Sequence, residues 1–430
     1  MSTAAETPPH TVVITGRGGA GRTTVAAATA LRSARAGRRT LLVAADDPHR
    51  GLDELLGTRL GPVPGAVGPD GVTGRLHAMR LDPQAAFREE AGRLLGRAKT
   101  VFDLFGVEPL EEDELTALPG AGKLTLLRAL REHTASGEWQ TVVVDAPSAA
   151  ETIGAFALPE QLARYVARLL PQERRAARSL RPILAAVAGV PMPADWLFEG
   201  AAWAEAELGE LRAAAESPEL SVRLVATPGS ASAPELRLAR AGLALYGHRV
   251  DAVIANRVVP APPAEASGRE DGFLGRLHAA QREELAAMRE ELAAGAATPL
   301  LELPHLGRDP RGWEDLARLA DAADADAADG SGLGADGSAD PPPRSHVEDR
   351  LAADGLLVWH VPLPGAARPD LDLVRRGDEL LVAVGPYRRT LPLPSALRRC
   401  TVAGAGLRDA VLSVRFRPDP GLWPAARPQT

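Results

Sequence analysis

Cysteine is nearly missing from this 430-residue sequence, where Cys400 stands alone. A lone cysteine excludes disulfides within the chain and every cysteine-pair metal or redox motif, which fits a reducing, cytoplasmic setting. Lysine is almost as scarce: of 49 basic residues only Lys99 and Lys123 are lysine, and the others are arginine. Methionine occurs four times, at Met1, Met79, Met192 and Met288. No apolar run reaches the roughly 18 residues of a spanning helix. The opening MSTAAETPPH has neither the basic start nor the apolar run of a signal peptide, so any membrane contact is expected to be peripheral or through a partner. Clustered basic residues are lacking too, and with a net charge of -7 the chain has no electrostatic footprint for nucleic acid.

What is present is a 45% hydrophobic fraction, ample for buried cores, in a chain long enough for roughly two to three domains. An apolar strand TVVIT, a glycine-rich turn, an alanine-rich helix from about Thr24 to Ala36 and a second strand TLLVAA form a βαβ unit. TVVVDA, SVRLVAT and RVDAVIANRV supply further strands. Continuous apolar strands are what a parallel sheet covered on both faces requires. Residues 1–320 therefore read as one α/β domain of P-loop type, with a mostly parallel sheet and helical insertions at about 82–134 and 160–215. An acidic, low-complexity stretch at 321–345, in which Leu333 is the one large apolar residue, reads as a flexible linker. Short strand-like runs punctuated by Pro and Gly at 346–418 predict a small all-β sandwich, followed by a tail at 419–430.

The chemistry-bearing motif is Gly16-Arg17-Gly18-Gly19-Ala20-Gly21-Arg22-Thr23-Thr24, between strand and helix. Backbone N–H groups and the helix dipole converge there on a polyphosphate, the glycines let the backbone approach, and Thr23 is placed to put its hydroxyl on Mg²⁺. The usual lysine is Arg22. A second string, Pro119 to Lys123, fails the pattern, since Ala117 replaces the first glycine and Leu124 the Ser or Thr.

This cradle resembles that of the arsenical-pump (ArsA) and tail-anchored-protein-targeting (GET) ATPases, which reads G-K-G-G-V-G-K-T-T, with both lysines replaced by arginine here. The segment LLVAADDPHRGLDELLG resembles the family's first switch: Asp46 and His49 match, and Pro48 is displaced by one position. The resemblance implies that Asp46 directs and deprotonates the attacking water, that Arg22 contacts the β and γ phosphates, and that Arg17 reaches a partner's nucleotide. Alternatively Asp46 or Asp47 caps the next turn. TVVVDA ends in Asp145, which resembles the second-switch aspartate that holds Mg²⁺ through water, but Ala146 to Thr152 keep neither the switch glycine nor its histidine. Asn256 in IANRVVP matches the position that reads adenine. The run VPLPGAARPDLDLVRRGDELLVAVGPYRRTLPLP resembles the small-heat-shock-protein (α-crystallin-like) domain that some ArsA-like proteins carry, with Ala410 replacing its usual glycine and no Ile-x-Ile tail.

The resemblance implies an ATP- and Mg²⁺-dependent switch, a homodimer or a heterodimer with a paralogue, acting on a protein client or a peripheral membrane partner. Arginine holds phosphate bidentately yet is larger than an ammonium, so a nucleotide-binding scaffold without turnover is the competing reading. The cysteine count disfavours an arsenite site, a dimer zinc and metalloid efflux.

Overall fold

The computed structural model describes residues 9–45, 47–93, 114–169, 195–261, 272–293, 298–326, 332–333 and 344–423. Its first part is an eight-stranded sheet in the order β3-β4-β2-β5-β1-β6-β7-β8, parallel except for the short antiparallel pair β3–β4. The strands are β1 (His10–Gly16), β2 (Thr40–Ala44), β3 (Gly65–Ala66), β4 (Leu76–Arg80), β5 (Thr141–Ser148), β6 (Leu220–Ala226), β7 (Val250–Val258) and β8 (Leu300–Pro304).

Strand alternation sends neighbouring side chains into two different cores. Val13, Leu41, Val43, Val142 and Val144 enter one. Val12, Ile14, Leu42, Ala44 and Val143 enter the other. Both faces are therefore covered, which is why these strands are predominantly apolar. One face packs helices α1 (Arg22–Arg35), α2 (Gly51–Leu56) and α8 (Gly312–Asp326), and α1 brings small alanines so that it can approach closely. The other carries α3 (Ala121–Ala135), α4 (Ala149–Leu169), α5 (Asp195–Ala215), α6 (Ser232–Leu245) and α7 (Phe273–Ala293). Residues 94–113 and 170–194 of the expected helical insertions lie outside the described residues.

The second part is a sandwich. A four-stranded sheet in the order β14-β15-β10-β9 faces a three-stranded one, β11-β12-β13. Its strands are β9 (His346–Arg350), β10 (Leu356–Pro362), β11 (Leu371–Arg376), β12 (Glu379–Val384), β13 (Tyr387–Pro392), β14 (Cys400–Arg408) and β15 (Val411–Pro418). The β14–β15 hairpin turns through Asp409 and Ala410, both left-handed with φ of 48° and 59°, which is why a glycine is expected at Ala410. Trp359, Val382 and Phe416 of the sandwich belong to the same apolar cluster as Val13 and Val144 of the main sheet.

The linker boundary needs correction. Helix α8 runs on to Asp326, six residues into the stretch read as flexible from 321. Leu333 is 1% exposed, and its carbonyl accepts from the buried Arg223 guanidinium, which also pairs with Asp251 at 3.1 Å. An apolar side chain inside an acidic run found a pocket, and the chain is pinned there.

Candidate nucleotide site

The cradle is built where β1 meets α1. At Gly16, a Cβ would lie 2.1 Å from the Val225 carbonyl oxygen on neighbouring β6, so only glycine lets the strand turn there. Gly21 has φ of 90°, and a Cβ would lie 2.2 Å from the Asn256 amide nitrogen. Gly18 and Gly19 are exposed between them, Ala20 is buried and Thr24 is half-buried. The glycines thus do what a phosphate cradle needs: they strip side chains from a loop that runs straight into a helix N-terminus.

Thr23, in the first turn of α1, donates its hydroxyl to Asp145 at 2.7 Å. Asp145 ends the buried part of β5 and is 1% exposed, so adjacent β1 and β5 bring together the two oxygen ligands expected for Mg²⁺. A hydroxyl and a carboxylate acting through water suit this ion, which keeps most of its own waters. The Arg22 guanidinium donates to the carbonyl of Ala146, the residue after Asp145. Arg17 is 62% exposed and pairs with Glu235 on α6 at 3.5 Å. Such exposed pairs contribute about 0–1 kcal/mol.

The second-switch segment is held along its length. Thr15 donates to the Pro147 carbonyl at 2.6 Å, and Thr152 of α4 donates to the same oxygen at 3.1 Å. Ser148 donates to Glu151 at 2.6 Å. Strand β5 passes into α4 without an intervening loop.

Asp46 lies outside the described residues. Its neighbour Asp47 caps α2, accepting from the N–H groups of Gly51 at 2.7 Å and Leu52 at 3.0 Å. Arg80, at the end of β4, pairs with Asp47 at 3.0 Å and also with Asp53. His49 is exposed. Asn256 is 5% exposed; its amide donates to the Ala20 carbonyl at 2.8 Å and accepts from the Arg257 N–H at 2.9 Å. In this arrangement it braces the cradle from behind. Lys123 of the second glycine-rich string sits in α3 against Gly154 of α4, with no strand among the described residues 114–120 before it.

Three features of the site escaped the sequence reading: Arg80 as the clamp on the first switch, Glu235 as the partner of Arg17, and the Thr15–Thr152 grip on Pro147. Each joins residues far apart in the chain, and none leaves a local pattern. Among the described residues, no helix is long and apolar enough to cross a membrane.

Comparisons with known proteins bear on the fold. The family described as anion-transporting ATPase matches residues 10–323, and an HSP20-like domain found in ArsA matches residues 354–416. An uncharacterized protein of Streptomyces coelicolor is 49% identical over 419 residues, covering 97% of this chain and 100% of its own. A protein of Aquifex aeolicus, named as an arsenical pump-driving ATPase, is 25% identical over 401 residues, covering 90% of this chain and 94% of its own. The ATPase get3 of Aspergillus niger is 24% identical over 180 residues, 42% of this chain and 52% of its own.

Proposed function

The chain belongs to the anion-transporting ATPase family and ends in an HSP20-like domain, and we propose that it is a Mg²⁺- and ATP-dependent conformational switch. The observation that carries this reading is the Thr23–Asp145 pair at 2.7 Å, set beside a cradle in which Gly16 and Gly21 admit no Cβ. Gly16 to Thr24 would hold the phosphates through backbone N–H groups. Thr23 and Asp145 would hold Mg²⁺, which neutralises charge on the β and γ oxygens. Asp46 would orient the attacking water. The family's pairing of two nucleotides makes a dimer the working form, with Arg17 leaving Glu235 to cross to a partner copy.

The partner we propose is a protein client or a peripheral membrane partner, with a protein client favoured. The cleft of about 1450 Å³ between residues 83–93, α3 and α5 is lined by Trp203 together with Arg128, Arg131, Glu207 and Glu210. Arg128 meets Glu207 at 2.9 Å and Arg131 meets Glu210 at 2.9 Å, a floor suited to a polar protein surface better than to a bare apolar helix. Metalloid efflux fits poorly. Cys400 is buried in the sandwich, and burial pushes its thiol pKa up, away from the thiolate that a metalloid needs.

A second reading, a nucleotide-binding scaffold without turnover, is favoured by Arg22, whose guanidinium engages the Ala146 carbonyl. Calorimetry of Mg-ATP with the full chain, then phosphate release on the same sample, separates the two. Turnover lost in Asp46→Asn supports the switch; binding without turnover supports the scaffold; no binding refutes both.

A further inference from the structure

The C-terminal sandwich is seated on the ATPase unit by a close-fitting surface. The ring of Tyr387 lies over Gly242 of α6, where a Cβ would come within 2.6 Å of it. A Cβ at Gly365 would lie 2.3 Å from the Arg237 carbonyl, and one at Gly385 would lie 2.8 Å from Leu238. Gly242 on α6 and Gly365 in the sandwich are thus needed for the approach. Arg389 of β13 completes the seat. It reaches Glu160 of α4 at 2.9 Å, Glu216 at 3.3 Å and the Leu245 carbonyl at 3.0 Å, and lies over the Tyr246 ring at 5.5 Å. The Tyr246 hydroxyl donates to the Arg388 carbonyl at 2.7 Å. Arg164 of α4 meets Glu379 at 2.6 Å, and Arg237 of α6 meets Asp370 at 2.7 Å.

Both helices under the sandwich begin at the nucleotide site. Helix α4 starts directly after the second switch, whose Pro147 carbonyl is gripped by Thr15 and Thr152. Helix α6 carries Glu235, the partner of Arg17, in its first turn. No loop intervenes between Asp145 and Glu160: the strand end is tied to the cradle and the rest is one helix, which carries the buried Pro159 directly before Glu160. A packed, hydrogen-bonded strut transmits a shift at one end to the other, because such interfaces move between discrete arrangements.

We propose that the sandwich seat is the output of the nucleotide site: binding at the cradle alters, through α4 and α6, how tightly the sandwich is held by Arg389 and Tyr387. This rests on nucleotide binding as proposed above. Coupling between two sites is reciprocal, so releasing the seat must change nucleotide affinity, at full release by the same factor by which nucleotide changes the seat.

The test uses the full chain and Mg-ADP, which requires no turnover. Hydrogen exchange of 237–247 and 385–392 is measured with and without nucleotide, and affinity by calorimetry, in the natural protein, in Arg389→Ala and in the milder Glu160→Gln. The expected result is a change in seat exchange of about fivefold or more on binding, the lower end of ordinary coupling, with a matching affinity change in the variants. Should Arg389→Ala fail to fold, Glu160→Gln carries the comparison. Nucleotide binding that leaves seat exchange and variant affinities unchanged overturns the proposal while leaving the binding reading intact. No binding at all overturns both.

Discussion

His248 offers a stability test whose size follows from the structure. It follows α6, its ring lies 4.1 Å from that of Phe156, and it is 8% exposed. Burial, with a lesser contribution from the charge of Arg389, lowers its pKa to about 3. In the unfolded chain the ring titrates near 6.5. Because the folded value is depressed, the unfolded state takes up the proton first, so the contribution of the neutral ring is complete above about pH 6.5 and is lost as pH falls toward about 3. One pKa unit corresponds to about 1.4 kcal/mol, so between neutrality and pH 5 the natural protein loses about 2 kcal/mol from this group alone. In His248→Phe the ring still stacks but cannot titrate. Urea unfolding of both proteins at pH 7.5 and pH 5 reads the difference, expected to be about 2 kcal/mol more acid loss in the natural protein. Equal acid losses in the two proteins would show that the imidazole is not held neutral, and would refute the reasoning.

Other substitutions test the site and its supports. Thr23→Ala removes a hydroxyl bonded to a carboxylate and proposed as a Mg²⁺ ligand, and calorimetry should show Mg²⁺-dependent nucleotide affinity falling about tenfold or more, since charged hydrogen bonds contribute about 1.5–3 kcal/mol. Asn256→Ala strands the Ala20 carbonyl and the Arg257 N–H; thermal unfolding should show about 1–3 kcal/mol lost, and nucleotide affinity should drop with it. Arg223→Met leaves Asp251 and the Leu333 carbonyl without their shared donor, and the expected loss is about 3–5 kcal/mol by chemical denaturation, the range for breaking a buried pair from one side.

The central strands and the cradle were legible because burial on both faces favours long apolar runs, and because a phosphate loop needs glycines in fixed order. Strand β4 was not legible: LHAMR carries His77 and Arg80, and Arg80 is there to hold Asp47 and Asp53. Strand β8, LLELP, interrupts its apolar run with Glu302 and ends in proline. The sandwich was legible as a fold, from its spaced turns, but its seat was not. Arg389 and Glu160 are 229 residues apart, and nothing near either marks the partner.

The arginines of the cradle acquire a physical role from these contacts. A guanidinium is long and planar and carries five donors, so one of them can hold a backbone carbonyl. At position 22 one donor holds Ala146 in the second switch, a contact that ties the helix side of the cradle to the strand that bears Asp145. An ammonium in the same place would be a compact point charge with three donors and no planar fork. Replacing lysine by arginine therefore does more than preserve charge: it joins the cradle to the segment that begins α4, the helix on which the sandwich rests through Glu160 and Arg164. In this chain the cradle is bonded, through Arg22 and Thr23, to the strand segment that bears Asp145.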